Sequence, residues 1–171
     1  RDVDVVLSRI KDGSSKELVK NIRQEDDKSK RNDLKKELPS ICFSGQFTKR
    51  SDVSIKEHSG LICLDFDGYT KQKDLLNDKN KFSKNKFVYS VFISPSGKGL
   101  KVLVKIPKDP DNHVGYFIAL EKLFKSQYFD KTSKNVSRVC YESFDPLIYI
   151  NKDAEVWETA EDLEYKEHSA N

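Results

Sequence analysis

The sequence has no methionine, one tryptophan and only three cysteines in 171 residues. Cys42, Cys63 and Cys140 are far apart and form no Cys-x-x-Cys pair, so neither a zinc motif nor a disulfide framework is indicated and a reducing, cytosolic setting is expected. No apolar run approaches the roughly 20 residues that a membrane-spanning helix needs. Because the chain opens with Arg1, lacks Met and shows no signal-peptide pattern, we expect it to be a piece of a longer protein.

Charge is abundant but nearly balanced, because 35% of the residues are charged and the net charge is only +3. Its distribution is uneven: residues 71–86 hold six lysines against two aspartates, and residues 153–167 hold seven acidic residues against one lysine. The acidic segment would be repelled by a phosphate backbone. Any bound nucleic acid is therefore expected away from the C-terminal tail.

Hydrophobic periodicity predicts helices first and a sheet afterwards. Apolar residues recur with a period near 3.6 in the first part of the chain, interrupted near Gly13, and the mixed-charge run before Pro39 is predicted to be a solvated face that ends there. Leu61–Leu64 is apolar on both faces, as in a strand buried within a sheet. Phe87–Ile93 and Leu100–Ile106 flank a Ser/Gly-rich loop and predict a hairpin.

The remaining elements complete an α/β or α+β domain. A helix with a wide apolar stripe is predicted to begin after a cap at Asp111 or Asn112, and short strands are predicted near 137–141, 147–150 and 155–158. The lysine-rich stretch 71–86 is predicted to be a helix or loop with too little apolar content for a buried helix.

Asp65 and Asp67 are the sharpest chemical feature. Residues i and i+2 of a strand point to the same face, so two carboxylates lie side by side where the apolar strand ends. Such a pair repels itself unless a cation lies between, and hard divalent ions such as Mg²⁺ or Mn²⁺ prefer carboxylate oxygens. The alternative is structural, with Asp67-Gly68 as a turn and Asp65 as a helix cap.

The predicted hairpin loop has the composition of a phosphate-binding segment. Its backbone N–H groups can surround phosphate oxygens, while Lys98 and Lys101 supply positive charge. It is not a P-loop, because Gly99 follows Lys98 where Ser or Thr is required. The alternative is a flexible turn with solvated lysines.

Asp65-Phe66-Asp67-Gly68 resembles the first motif of haloacid-dehalogenase-like phosphatases, in which Asp65 would be a phosphorylated nucleophile. Tyr69 stands where that motif has Thr, and the late acids Glu161-Asp162-Glu164 follow no apolar strand.

Leu64-Asp65-Phe66-Asp67 more closely resembles motif I of the archaeo-eukaryotic primase (prim-pol) superfamily. The preceding His58-Ser59-Gly60-Leu61 resembles the N-terminal domain of virulence-associated protein E and related mobile-element primases. Three further stretches agree in order and spacing: Ser94–Lys101 resembles the motif II hairpin, Phe129-Asp130 resembles motif III, and Ser137–Asn151 resembles the closing stretch. The resemblance spans about residues 40–157.

The resemblance implies an N-terminal α/β unit packed beside an RRM-like sheet, with the active site between them. It implies a helical segment at 1–39, a catalytic core at 40–158 and an acidic tail at 159–171, with a helicase elsewhere in the full chain. The implied activity is metal-dependent, template-directed nucleotidyl transfer that initiates replication of a phage, plasmid or other mobile element. Single-stranded DNA would be the template, crossing basic surface such as the lysines of 71–86, in the cytoplasm of a bacterial or phage-infected cell.

The resemblance also implies roles for individual residues. Asp65, Asp67 and Asp130 would be catalytic and hold Mg²⁺ or Mn²⁺, with Asp145 as a lower-ranked rival for the third acid because it precedes Pro146. The residues implied to bind the nucleoside triphosphate, dNTP or NTP, are Ser94, Ser96, Lys98, Lys101 and Arg138. For Arg138, an ion pair with the acids is the alternative.

Lys101 departs from the superfamily pattern, because it stands where motif II has a histidine. A lysine binds phosphate as a point charge and cannot act as a neutral imidazole. A non-catalytic module that binds nucleotide or single-stranded nucleic acid is therefore the competing hypothesis.

Overall fold

The structure is a computed structural model that describes residues 1–162. Within these residues it has five α-helices: α1 Val3–Asp12, α2 Lys16–Gln24, α3 Lys28–Lys35, α4 Gln72–Ser83 and α5 His113–Phe124. The same part of the chain has eight strands: β1 Ser40–Ile41, β2 Gly45–Phe47, β3 Ile55–His58, β4 Leu61–Phe66, β5 Val88–Ile93, β6 Leu100–Lys105, β7 Cys140–Tyr141 and β8 Tyr149–Ile150. The protein is therefore an α+β domain.

The main sheet has four strands in the order β4-β6-β5-β8, and every neighbouring pair is antiparallel. Because β4 and β5 are both antiparallel to β6, they run parallel to each other, and α4 connects them. This is a split β-α-β unit with β6 inserted between the parallel strands. Two smaller antiparallel pairs, β1 with β7 and β2 with β3, accompany it.

The main sheet is covered on both faces. Ile62, Leu64 and Phe66 of β4 belong to one apolar core with residues of α4 and α5. Leu61 on the other face belongs to a second core with residues of α1. The predicted burial of this strand on both faces is thus confirmed, but its predicted place in the middle of the sheet is wrong, because β4 is an edge strand. Its apolar pattern reflects the two cores that cover the sheet, and Asp65 and Asp67 lie at its C-terminal end.

The N-terminal helices also follow the sequence prediction. Helix α1 ends at Gly13, whose φ of 89° is a left-handed conformation that favours glycine, and the Gly13 N–H donates to the Arg9 carbonyl. Helix α3 buries no side chain, in agreement with the predicted solvated face.

Of two local predictions, the helix or loop at 71–86 is a helix that is mostly exposed, and the strand at 155–158 is wrong. Residues 72–83 form α4, which buries Leu75 and Phe82, and the Phe82 ring lies 4.6 Å from that of Phe66. Two apolar residues seven positions apart share one helix face, so few are enough to attach a lysine-rich helix to a sheet. Residues 155–158 form no strand, although the backbone N–H of Trp157 donates to the Lys105 carbonyl.

The predicted acidic tail at 159–171 falls outside the described residues from 163 onward. Within residues 1–162, no helix combines the length and the apolar character needed to cross a membrane.

Candidate active site

The end of β4 presents two carboxylates at one place. Asp65 lies on the face of the strand that carries Cys63, and its side chain is buried. Asp67 lies just beyond the strand and is exposed, while its N–H donates to the Tyr128 carbonyl. The predicted pairing of a strand-end acid with an acid two residues later is therefore present in the fold.

Lys101 faces Asp65 across the sheet. The two residues are register partners of β4 and β6, and Lys101 Nζ donates to Asp65 Oδ1 at 2.7 Å. Burial by itself would lower the pKa of Lys101, but the adjacent Asp65 carboxylate outweighs it, and the pKa is raised above its ordinary value. Lys101 is thus a partly buried, charged partner of the first acid.

Asp130 completes a group of three acids. Phe129 forms a bridge with Phe66, and the Asp130 N–H donates to the Asp65 carbonyl at 2.8 Å, which brings the third acid beside the first. Ser133 Oγ lies 3.0 Å from Asp65 Oδ2 and 2.9 Å from Asp130 Oδ2. A hydroxyl donates one proton, so these two carboxylates compete for it.

Arg138 lies beside the same two acids. Its Nη2 atom is 4.0 Å from Asp65 Oδ2 and 3.9 Å from Asp130 Oδ2. The distances are long for a direct hydrogen bond, and 41% of the side chain is exposed. The guanidinium therefore balances the acids electrostatically and remains accessible to a ligand.

The predicted hairpin is confirmed by the pairing of β5 with β6. Three of its loop N–H groups are used internally: that of Ser94 donates to Gly99 O, that of Gly97 to Ser94 O, and that of Lys98 to Ser96 Oγ. Those three amides do not offer themselves to phosphate in this conformation. In this conformation a phosphate would be bound by the polar side chains of the loop and not by these three amides.

Gly99 allows the hairpin to approach the acids. A Cβ atom at this position would lie 2.7 Å from Asp67 Oδ1 and 2.8 Å from the Phe66 carbonyl oxygen. Both distances are shorter than real Cβ contacts, so the close approach of β6 to Asp67 requires glycine.

These residues enclose one pocket of about 210 Å³, called here the acid pocket. Six of the residues singled out from the sequence line it: Asp65, Asp67, Ser94, Ser96, Lys101 and Arg138. Asp130 does not line the pocket, but Ser133 Oγ lies within hydrogen-bond distance of both the Asp130 and the Asp65 carboxylates. Lys98 instead lines an adjoining cavity of about 680 Å³ that shares Ser96 with the acid pocket.

The electrostatics of the acid pocket differ from one acid to the next. Partial burial and the neighbouring Asp65 and Asp130 charges raise the pKa of Asp67, and only Lys101 and Lys35 oppose them. At Asp130, burial would raise the pKa, but hydrogen bonds from Thr132 and Ser133 lower it below its usual value. A cation bound beside Asp67 would therefore favour the ionised form of its carboxylate.

Asp145 does not line the acid pocket. Its carboxylate accepts hydrogen bonds from Lys79 Nζ at 2.8 Å, from the Ile93 N–H at 2.9 Å and from the Leu147 N–H at 2.9 Å. These bonds engage the buried Asp145 carboxylate and join α4 to the end of β5. Asp145 therefore has a structural role.

Sequence reasoning missed one residue that lines the pocket, Lys35, and two that position its acids, Ser133 and Gly99. Ser133 follows Asp130 by three positions, and that spacing was its only available signal. Lys35 lines the pocket from α3, where it resembled any other solvated lysine. Gly99 carried no signal of its steric role, which depends on the approach of Asp67 across the sheet.

The donor chemistry of the pocket fits a hard divalent cation. Asp65, Asp67 and Asp130 offer carboxylate oxygens, the ligands that Mg²⁺ and Mn²⁺ prefer. Within residues 1–162, no group of three or more His, Cys, Asp or Glu side chains is arranged to hold a metal ion. Mg²⁺ is usually bound through one or two carboxylates together with substrate phosphates, so a complete protein cage is not required.

A family model covers the part of the chain that builds this pocket. The model of the BT4734-like N-terminal domain matches residues 33–150, more than half of the sequence. The chain belongs to the BT4734-like N-terminal domain family. The match includes all three acids, the hairpin and Arg138, and the family description states no activity. Comparisons with curated proteins and with solved structures found no match.

Proposed function

We propose that this BT4734-like domain is the catalytic core of a primase-polymerase that carries out metal-dependent, template-directed nucleotidyl transfer. One observation carries the proposal: stretches separated by up to about 70 residues in sequence, each resembling a prim-pol motif, converge on the acid pocket. The split β-α-β unit, with acids at the end of its first strand and a hairpin beside them, also supports the RRM-like sheet that this resemblance implies.

In this proposal the three acids have distinct tasks. Asp67, exposed and with a raised pKa, and Asp130 hold a divalent ion together with the phosphates of the nucleotide. The ion supplies activation of the 3′-hydroxyl and neutralises charge at the α-phosphate. Asp65 is committed to Lys101 and Ser133, and it shapes the pocket while contributing negative charge.

The basic and hydroxyl side chains receive the triphosphate. Arg138 is accessible at the pocket and can fork onto phosphate oxygens, as arginine does well. Ser94 and Ser96, which contact each other at 3.1 Å, offer hydroxyl donors at the junction with the adjoining cavity, where Lys98 adds positive charge. Single-stranded DNA is the proposed template, in the cytoplasm of a bacterial or phage-infected cell, with a helicase domain elsewhere in the longer chain.

The second candidate is a binding module that holds nucleotide or single-stranded nucleic acid without polymerising it. The Lys101–Asp65 ion pair favours it, because an ammonium group occupies the Asp65 carboxylate, which the prim-pol resemblance implies to be a metal ligand. The phosphatase alternative is weaker, since a nucleophilic Asp65 would have to release both Lys101 and Ser133.

Nucleotide incorporation on single-stranded DNA tests the proposal. The full chain is supplied with dNTPs and with NTPs, with and without a primer, in Mg²⁺ or Mn²⁺. Asp67→Asn is the informative variant because Asp67 is exposed and its loss does not uncover a buried charge. Asp111→Asn, an exposed acid outside the pocket, is the matched control.

Product formed by the wild type and by Asp111→Asn, but not by Asp67→Asn, supports the polymerase. Metal-dependent nucleotide binding without any product supports the binding module instead. Turnover of a generic phosphate ester that is lost in Asp65→Asn would support the phosphatase.

A further inference from the structure

Another cavity, of about 860 Å³ and distinct from the one that Lys98 lines, lies beside the acid pocket and is called here the basic cleft. Its walls come from α1, from β1 and β2, and from the segment Ser137–Val139 that precedes β7. Of the stretches that resemble prim-pol motifs, only the closing one reaches it, through Ser137, Val139 and Glu142. Its volume is near the upper end of the range of about 300–1,000 Å³ for ligand sites.

The basic cleft and the acid pocket share a wall. Ser137 lines the cleft, Arg138 lines the acid pocket, and Val139 lines both. Neighbouring side chains of this short segment, which leaves a turn and leads into β7, therefore face two different cavities. The cleft and the acid pocket therefore meet at Val139.

The charge of the cleft is positive. Arg1, Lys49 and Arg50 line it, and within residues 1–162 neither Lys49 nor Arg50 forms a salt bridge. Its acidic residue, Glu142, is neutralised because both carboxylate oxygens accept hydrogen bonds from Arg9, at 2.8 and 2.9 Å. Unpaired cations along a cleft suit a polyanion.

The cleft also offers an aromatic surface. Phe47 is half-buried at the end of β2, immediately before the basic turn, and Ile41 and Val139 extend the apolar wall. An aromatic ring among basic side chains is the arrangement that stacks unpaired bases while cations follow the backbone. A duplex does not fit this chemistry, because its base faces are already stacked.

We propose that the basic cleft binds single-stranded nucleic acid, with phosphates on Lys49 and Arg50 and a base on Phe47, and leads it past Val139 to the acid pocket. Its role as the template path rests on the proposed function. The assignment differs from the path over residues 71–86 expected from the sequence, since α4 packs on the sheet face opposite to α1.

Equilibrium binding of a fluorescent oligothymidine to the full chain tests this assignment. Lys49→Ala/Arg50→Ala is compared with Lys73→Ala/Lys84→Ala, which removes the same charge from exposed positions of α4 and its C-terminal end. Loss of two phosphate contacts should weaken binding on the order of 10-fold near 0.1 M salt and reduce the slope of log K against log salt by about 1.4. The α4 variant should bind like the wild type.

Phe47→Leu supplies an independent check, because leucine keeps apolar volume while removing the ring. We expect affinity to fall on the order of 10-fold with little change in salt slope. Circular dichroism confirms that each variant retains the fold. Poly-glutamate serves as a competitor of similar charge without bases, and it should compete poorly.

Wild-type affinity in both the Lys49→Ala/Arg50→Ala and Phe47→Leu variants would overturn the assignment, as would effective competition by poly-glutamate. Weakening by Lys73→Ala/Lys84→Ala alone would overturn it in favour of the α4 path. Cleft-dependent oligothymidine binding by a protein that binds no nucleotide at the acid pocket would uphold the cleft while refuting the primase-polymerase.

Discussion

Lys101 and Asp65 form an ion pair, at 2.7 Å, between the two adjacent strands that carry the candidate site. The side chains are 14% and 5% exposed, so neither charge can be compensated by water alone. The pair explains how a carboxylate can be buried at the end of an apolar strand. It also makes Lys101 a structural partner as well as a candidate phosphate ligand.

Replacing Lys101 should therefore destabilise the fold and expose a cation site. We expect Lys101→Ala to lower the free energy of unfolding by about 3–5 kcal/mol, because Asp65 is left as an uncompensated buried charge. Added Mg²⁺ should then raise the melting temperature of Lys101→Ala more than that of the wild type. Urea denaturation and thermal melts measure both effects, and a loss below about 1 kcal/mol would contradict the importance of the pair.

Asp67→Asn should stabilise the fold, whereas Lys101→Ala should destabilise it. The pKa of Asp67 is raised in the folded protein by partial burial and by Asp65 and Asp130, so its ionised form is disfavoured by folding. The wild type should then gain stability as pH falls through the folded pKa toward the unfolded value. Asn removes this dependence, so Asp67→Asn should be more stable than the wild type at pH 7, with the difference shrinking in acid.

Thermal melts of both proteins between pH 7 and pH 3 make this comparison. A variant less stable than the wild type at neutral pH would show that Asp67 has a stabilising partner.

The buried pair His58 and His113 should make stability pH-dependent. The Gly60 N–H donates to His58 Nδ1, so His58 Nε2 carries the proton that is donated to His113 Nδ1 at 3.0 Å. Burial and His58 lower the pKa of His113 from 6.5 to about 4. Other nearby charges are those of Asp52, Lys108 and Asp109.

The pKa of His113 is lower in the folded protein than in the unfolded chain. Its contribution to the free energy of unfolding is therefore complete above about pH 6.5 and is lost as the pH falls toward 4. The expected loss is about 3 kcal/mol. His113→Gln should flatten the pH profile in this window, as measured by urea denaturation at each pH. An unchanged profile would show that other groups control the acid response.

Gly99→Ala should displace the acids. The new Cβ atom would collide with the Asp67 carboxylate and with a backbone carbonyl that cannot move freely, at a cost of about 1–3 kcal/mol. Gly115→Ala is the matched control, because its Cβ atom would lie 2.8 Å from the Glu161 carbonyl oxygen, outside the acid pocket. Only Gly99→Ala should weaken metal-dependent nucleotide binding, and equal binding by both variants would contradict this.

The parts of the fold that were predictable from the sequence depend on local pattern. The buried strand β4, the β5–β6 hairpin and the break at Gly13 follow from apolar periodicity and turn residues. The sequence leaves α4 open as a helix or a loop, because composition does not reveal which few residues meet the sheet. Burial of Leu75 and Phe82 is decided by their tertiary partners.

The candidate site was likewise predictable only where local sequence pattern defines a residue's position. Asp65 and Asp67 could be found because a strand end and a two-residue spacing define their position. The ion pair of Lys101 with Asp65 depends on strand register, and the contribution of Ser133 depends on the bridge that brings Asp130 to Asp65. Neither relationship can be seen in one sequence before the sheet is assembled.

The most direct test of the central claim is calorimetric titration of the full chain with a nucleoside triphosphate, with and without Mn²⁺, in the wild type, Asp67→Asn and Asp111→Asn. The account predicts metal-dependent binding by the wild type and Asp111→Asn that is lost in Asp67→Asn, although that variant remains folded. Nucleotide binding that is independent of Mn²⁺, or that is unchanged in Asp67→Asn, would contradict a metal and nucleotide site at the acid pocket.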